Sequence, residues 1–240
     1  MKVHVVMTKE EMDIEKVTSV MSVVIFDVLL ATSSIAACFA GGAHSVRPAL
    51  NKEEALKMIK DCEEEVILAG EINGVTIEGF LNPLPTSLIE QVEGKHVILS
   101  TTNGTVAIRK AGGAKRVWIA SLLNTDAVAQ KVLNGHEDET LLLVCSGSAG
   151  QFCLEDFYGA GYFISCLQMQ YDKELNLTDS ALGAKWFYEG HKEESERILS
   201  NSRVGITLKQ QGNYREVQYV SQKSIIKFAP YVKDGIVIFA

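Results

Sequence analysis

Val97–Thr105 reads VILSTTNGT. Four residues read as a buried strand; polar residues, a glycine and the start of a helix follow. A strand that ends in a Thr/Asn/Gly turn and feeds a helix leaves unpaired backbone N–H groups aimed at one spot. Those donors and the helix dipole favour an anion there, commonly a phosphate or a carboxylate. Gly104 lets the turn take φ > 0 or approach a ligand closely. Thr101, Thr102, Asn103 and Thr105 add side-chain donors. The same order of residues also builds a capped helix with no ligand, so the other loops of the chain decide between the two.

Outward from this stretch, strands and helices alternate. Lys2–Met7 and Ser22–Asp27 (SVVIFD) read as strands, the second a β-branched apolar run that ends in an acid. Leu30–Gly42 reads as a helix stopped by Gly41–Gly42, His44–Ala49 as a short strand, and Asn51–Asp61 as a helix capped by Asn51 with Glu54 three residues on. Val66–Gly70 is a strand, Asn73–Gly74 a tight turn and Val75–Glu78 a short returning strand. Thr86–Val92 holds one or two helical turns after Pro83 and Pro85. Lys95–Ser100, Arg116–Ala120 and Thr140–Cys145 are strands; Thr105–Ala111, Thr125–Leu133 (capped by Asn124) and Leu154–Gln170 are helices. The pattern predicts an α/β fold, a three-layer α/β/α arrangement with a central, mostly parallel or mixed sheet. In the tail, Asp179–Gly190 and Lys192–Ser200 read as helices, with Leu182, Trp186, Ile198 and Leu199 as their packing positions. Val204–Leu208, Glu216–Val220 and Gly235–Phe239 read as weaker strands. Residues 1–240 are expected to form one domain, with 175–240 a helical and strand cap.

Composition narrows the class. Among 240 residues, 47% are hydrophobic and 22% charged, as in soluble globular proteins. The net charge of −7 and the absence of any basic block speak against a nucleic-acid partner. The N-terminus turns acidic too early for a signal peptide, and Met21–Ala40 is interrupted by Asp27, Thr32, Ser33 and Ser34, so neither secretion nor a membrane span is expected and the cytoplasm is the default. Five cysteines without a CxxC pair read as buried free thiols; Cys145 alone, at a strand end, invites a nucleophilic reading. The five histidines (His4, His44, His96, His136, His191) show no metal-ligand spacing. A homo-oligomer is left open: the apolar stretch Leu154–Leu167 reads as core or interface, with core favoured on burial grounds.

The polar residues cluster where strands end. Asp27, Glu71, Ser100–Thr105, Ser121–Asn124 and Ser146–Gln151 each follow a strand, and open α/β sheets bind ligands beyond those ends. Asp27, Glu71 and Glu155 or Asp156 are carboxylates from three separate loops, a set of hard oxygen donors suited to Mg²⁺ beside a phosphate. Asp27 is alternatively a nucleophile. Ser146–Gly150 (SGSAG) reads as a second phosphate-cradling turn through Ser146, Gly147 and Ser148, and Thr32 and Asn124 as further ligand contacts.

At these loops the chain resembles the 2-phosphosulfolactate phosphatases of coenzyme M and sulfolactate biosynthesis. The resemblance is carried by DVLLATSSI (Asp27–Ile35), LAGE (Leu68–Glu71), IEGF (Ile77–Phe80), STTNGTVAI (Ser100–Ile108), SLLNTDAVA (Ser121–Ala129) and CSGSAGQFCLEDF (Cys145–Phe157), in the family's order. It implies Mg²⁺-dependent hydrolysis of a small phosphate ester, (2R)-2-phospho-3-sulfolactate to 3-sulfolactate and phosphate. Asp27, Glu71 and Asp156 would be catalytic. Asp27, Glu71, Glu155 and Asp156 would surround the metal, and Thr101–Gly104 and Ser146–Ser148 the phosphoryl oxygens. The chain also departs from the family pattern: Leu30, Ile72 and Val106 stand where arginines are expected, Leu81 where an Asp is, and Gln151 where a Glu is. At ~1.5–3 kcal/mol per charged hydrogen bond, three missing guanidiniums leave room for a less charged ester or for a homologue without catalysis.

Overall fold

Each apolar run of the first 170 residues becomes a strand or a helix close to its predicted bounds. The structure, a computed structural model, describes residues 1–62, 64–134 and 140–239, so His136 lies outside the described residues. β1 (Lys2–Val6), β2 (Met21–Phe26), α1 (Ala31–Ala40) and β3 (Ser45–Ala49) open the chain. α2 (Lys52–Met58) starts where the Asn51 side chain accepts the Glu54 N–H at 2.9 Å. β4 (Val66–Ile72) turns through Asn73 and Gly74, both at positive φ, into β5 (Val75–Thr76). Then come α3 (Pro85–Leu88), β6 (His96–Ser100), α4 (Gly104–Lys110) and β7 (Arg116–Ala120). α5 (Thr125–Leu133), β8 (Thr140–Cys145) and α6 (Leu154–Gln170) follow.

The tail departs further from its sequence pattern. It holds β9 (Asn176–Leu177), α7 (Asp179–Gly190), α8 (Ser195–Asn201), α9 (Arg203–Gln210), α10 (Tyr214–Val220), β10 (Pro230–Lys233) and β11 (Ile236–Phe239). The two stretches expected as strands, Val204–Leu208 and Glu216–Val220, are therefore helices. Ser202 caps α9 by accepting the Gly205 N–H at 3.0 Å, and the buried positions Gly205 and Leu208 are one helical turn apart. Glu216 of α10, itself buried, accepts the Thr86 N–H at 3.0 Å and the Thr86 hydroxyl, which ties the tail to α3. Trp186 does not pack inward: it is 62% exposed, and α7 buries Ala181, Ala184 and Tyr188 instead.

All strands join one sheet in the order β5-β4-β6-β3-β11-β10-β7-β2-β8-β1-β9. β1, β2, β7 and β8 pair in parallel with β9 at the edge, and β3, β4 and β6 form a second parallel block. The C-terminal hairpin β10–β11 joins them, antiparallel to both neighbours at Tyr231↔Trp118 and Val237↔Val46. The tail thus both covers the sheet and supplies its middle, and the two blocks run in opposite senses. Alternation along β2 sends Val24 and Phe26 into a core shared with α5, α6 and α7, and Val23 and Ile25 into one shared with α1 and α4. Tyr158, Phe163, Ile164 and Leu167 of α6 are wholly buried. Among the described residues, no helix is long and apolar enough to cross a membrane.

Candidate functional site

A cavity of about 280 Å³ opens where strand ends of both blocks meet. Four of the five predicted loops reach it: Asp27 after β2, Glu71 in β4, Thr101–Asn103 after β6 and Ser148 after β8 all line it. The fifth does not. Asn124 is fully buried; its Oδ1 accepts the Ser121 N–H at 2.9 Å and its Nδ2 donates to Ile119 O at 3.1 Å. Asn124 also makes no side-chain cap to α5, because this amide is turned back to Ser121.

Glu71 is the strap of the TTNGT turn. Its Oε1 accepts the Thr102 N–H at 2.7 Å and its Oε2 the Gly74 N–H at 2.6 Å, so one carboxylate joins the β4–β5 hairpin to the turn after β6. Within the turn, Thr101 N–H donates to Thr105 Oγ1 at 3.1 Å and Thr105 N–H to Thr101 Oγ1 at 3.2 Å. The N–H groups of Thr101, Thr102 and Thr105 are therefore committed, and the turn's anion-accepting capacity rests on Asn103 and Gly104. Gly104 itself packs against the acid. A Cβ there would lie 2.4 Å from Ala31 Cβ and 2.6 Å from Asp27 Oδ2, so only glycine allows this approach.

The acids divide by role. Asp27 is buried in the cavity wall, and its carboxyl is pushed up to about 7, first by burial and then by the negative charges of Glu71 and Glu155. Asp156 is not among the cavity-lining residues: Oδ1 accepts the Val28 N–H at 2.8 Å and Oδ2 the Gly147 N–H at 3.1 Å. It clamps the segment after β2 to the loop after β8, and burial, with Asp27 and Glu155 nearby, holds its carboxyl well above the usual range. Glu155 is buried behind that loop, raised by burial, with Oε2 lacking a hydrogen-bond partner among the described residues. Ser146 Oγ is likewise buried and unpartnered, and Gly147 takes φ 63° where a Cβ would meet Gln151 O at 2.7 Å. Among the described residues the Thr32 hydroxyl bonds the Asp27 backbone, donating to its carbonyl at 2.9 Å and accepting its N–H at 3.2 Å. The four predicted metal-ligand acids therefore do not converge: among the described residues no three His, Cys, Asp or Glu side chains are placed to hold one ion. Cys145 is fully buried, and burial, with Asp156 nearby, pushes its thiol well above the usual range.

Two cations escape the sequence reading. Lys9, only 6% exposed, donates from Nζ to Asn103 Oδ1 at 2.9 Å and to Ser146 O at 3.4 Å, and so bridges the two polar turns. Arg203 of α9 lines the cavity and donates from Nη2 to Ser148 O at 2.8 Å. Lys9 sits in a polar stretch and Arg203 in the tail, and neither lies in a recognisable motif. Leu30, at one of the positions where arginine was expected, also lines the cavity; Ile72, 54% exposed, and Val106 do not.

The model of the 2-phosphosulfolactate phosphatase family matches residues 6–235. The chain belongs to this family. It is 35% identical over 237 residues to a probable 2-phosphosulfolactate phosphatase of Clostridium acetobutylicum, covering 98% of this chain and 99% of the relative. It is 38% identical over 241 residues to one of Clostridium perfringens, covering 98% and 95%, and 31% identical over 240 residues to one of Clostridium tetani, covering 99% and 100%. The family's name describes phosphoric monoester hydrolases, and the cavity combines what such chemistry needs: a buried carboxyl, backbone and hydroxyl donors, and a guanidinium.

Proposed function

We propose that this chain hydrolyses the phosphate monoester of a small acidic hydroxy acid, (2R)-2-phospho-3-sulfolactate to 3-sulfolactate and phosphate, with Mg²⁺ as its cofactor. The observation that carries the reading is Asp27: a buried carboxyl beside the N-terminus of α4, in a cavity lined by Thr101, Thr102, Asn103 and Ser148, in a member of a phosphatase family. In the metal-free chain, burial and the negative charges of Glu71 and Glu155 raise the Asp27 carboxyl, and a cation bound beside it would reverse that rise. The N–H groups of Asn103 and Gly104 and the Ser148 hydroxyl orient the phosphoryl oxygens; the Thr101 and Thr102 hydroxyls donate within the protein, to Thr105 Oγ1 at 3.4 Å and to Glu71 Oε2 at 3.2 Å. Asp156 and Lys9 act through the backbone and Asn103, holding the two turns in register around the reacting group.

Two carboxylates lining one cavity, Asp27 and Glu71, are the fit test for the cation. Asp27 is raised by Glu71 and Glu155, and a divalent ion relieves that repulsion. Mg²⁺ is usually held by one or two carboxylates together with substrate phosphate and water. Asp27 and Glu71, the two acids lining the cavity, are the residues that would hold it. Bound there, it would supply positive charge to the phosphoryl oxygens. The test is Asp27→Asn, which keeps the shape and removes the charge. Turnover is expected to be lost while the circular dichroism spectrum stays unchanged; an active Asp27→Asn protein would remove the centre of the proposal.

A further inference from the structure

The residues lining the cavity include two carboxylates, Asp27 and Glu71, and one cation, Arg203. We infer that Arg203 selects esters with an acidic substituent, pairing a carboxylate or sulfonate of the substrate with its guanidinium fork. This deepens, and rests on, the phosphatase reading. An acidic group entering the cavity meets repulsion from Asp27 and Glu71 and no donor on the Leu29, Leu30 and Leu84 side chains. Arg203 donates from Nη2 to Ser148 O at 2.8 Å and to Cys153 Sγ at 4.0 Å, and forms no ion pair among the described residues. Its planar fork matches two oxygens of a carboxylate or sulfonate at once. Gln211, the C-cap of α9, also lines the cavity, while the Thr207 hydroxyl donates to Arg203 O at 3.0 Å, so the guanidinium at the helix start and the Gln211 amide are the donors this element offers.

The experiment compares wild type, Arg203→Ala and Arg203→Lys on 2-phosphosulfolactate and on 4-nitrophenyl phosphate, which lacks an acidic substituent, and measures calorimetric binding of 3-sulfolactate. Arg203→Ala is expected to raise KM for 2-phosphosulfolactate about 10- to 100-fold with a smaller effect on kcat. The ratio of kcat/KM between the two esters should fall about tenfold or more, 3-sulfolactate binding should weaken in parallel, and Arg203→Lys should restore part of both. An unchanged ratio, an equal loss on both esters, or 3-sulfolactate affinity that is the same with and without Arg203 overturns the inference. So does a wild-type protein that binds no 3-sulfolactate. Wild type that releases phosphate from neither ester, yet binds 3-sulfolactate through Arg203, overturns the phosphatase reading and leaves the selecting role of Arg203 standing.

Discussion

Asp27→Asn should stabilise the metal-free protein at alkaline pH. The carboxyl rises from 3.8 to about 7 on folding because it is buried beside Glu71 and Glu155. The folded state therefore binds the proton more tightly than the unfolded state. Below about pH 3 both states are protonated and the acid costs nothing; as pH rises towards 7 the unfolded state ionises first and stability falls. At ~1.4 kcal/mol per pH unit, the full penalty above pH 7 is about 4 kcal/mol, and at pH 5 it is under about 2 kcal/mol. Asparagine cannot ionise, and its Oδ1 can keep the backbone hydrogen bond from Ala31. Thermal melts in EDTA at pH 8 should then show the variant above wild type by up to about 8–16 °C, at ~2–4 °C per kcal/mol. At pH 5 most of that gap should close, and Mg²⁺ at pH 8 should raise the wild-type Tm more than that of the variant. A variant less stable than wild type at pH 8, or a gap equal at pH 5 and pH 8, would refute the reasoning.

Gly104→Ala should lower the unfolding free energy in urea by about 1–3 kcal/mol and depress turnover, since its Cβ would press on Ala31 and Asp27; unchanged stability would mean the helix start is less tightly seated than described. Asp156→Ala leaves the Val28 and Gly147 N–H groups unpaired in the interior and should cost about 2–5 kcal/mol in chemical denaturation. Trp186→Ala, at a 62% exposed position, should change stability by no more than about 0.5 kcal/mol, whereas a core tryptophan would cost several times that.

Much of the fold is legible because its signals are local. SVVIFD, VILS and TLLLVC are short β-branched or aliphatic runs with polar ends, and each is a strand within a residue of its predicted bounds. The tail misleads for an equally local reason: VGITL alternates like a strand, but Ser202 caps it and Gly205 and Leu208 make one buried helical face. Nothing near Pro230–Phe239 announces that this hairpin pairs with Trp118 and Val46, more than a hundred residues away, and so joins the two parallel blocks. The site shows the same split. Asp27, Glu71 and the TTN turn were visible as polar residues at strand ends, and they do meet. That Asp156 and Asn124 spend their polar atoms on backbone groups was not visible, since a residue type does not reveal its partners. Lys9 and Arg203 reach the site from segments with no motif, and only the folded chain brings them there.

The measurement that tests the account most directly is phosphate release from 2-phosphosulfolactate by the purified, folded protein, run with Mg²⁺ and with EDTA. Release is expected to require Mg²⁺ and to vanish with EDTA or with Asp27→Asn. Release that is indifferent to EDTA would contradict the role given to the cation, and no release from a protein shown to be folded and saturated with Mg²⁺ would contradict the proposed activity.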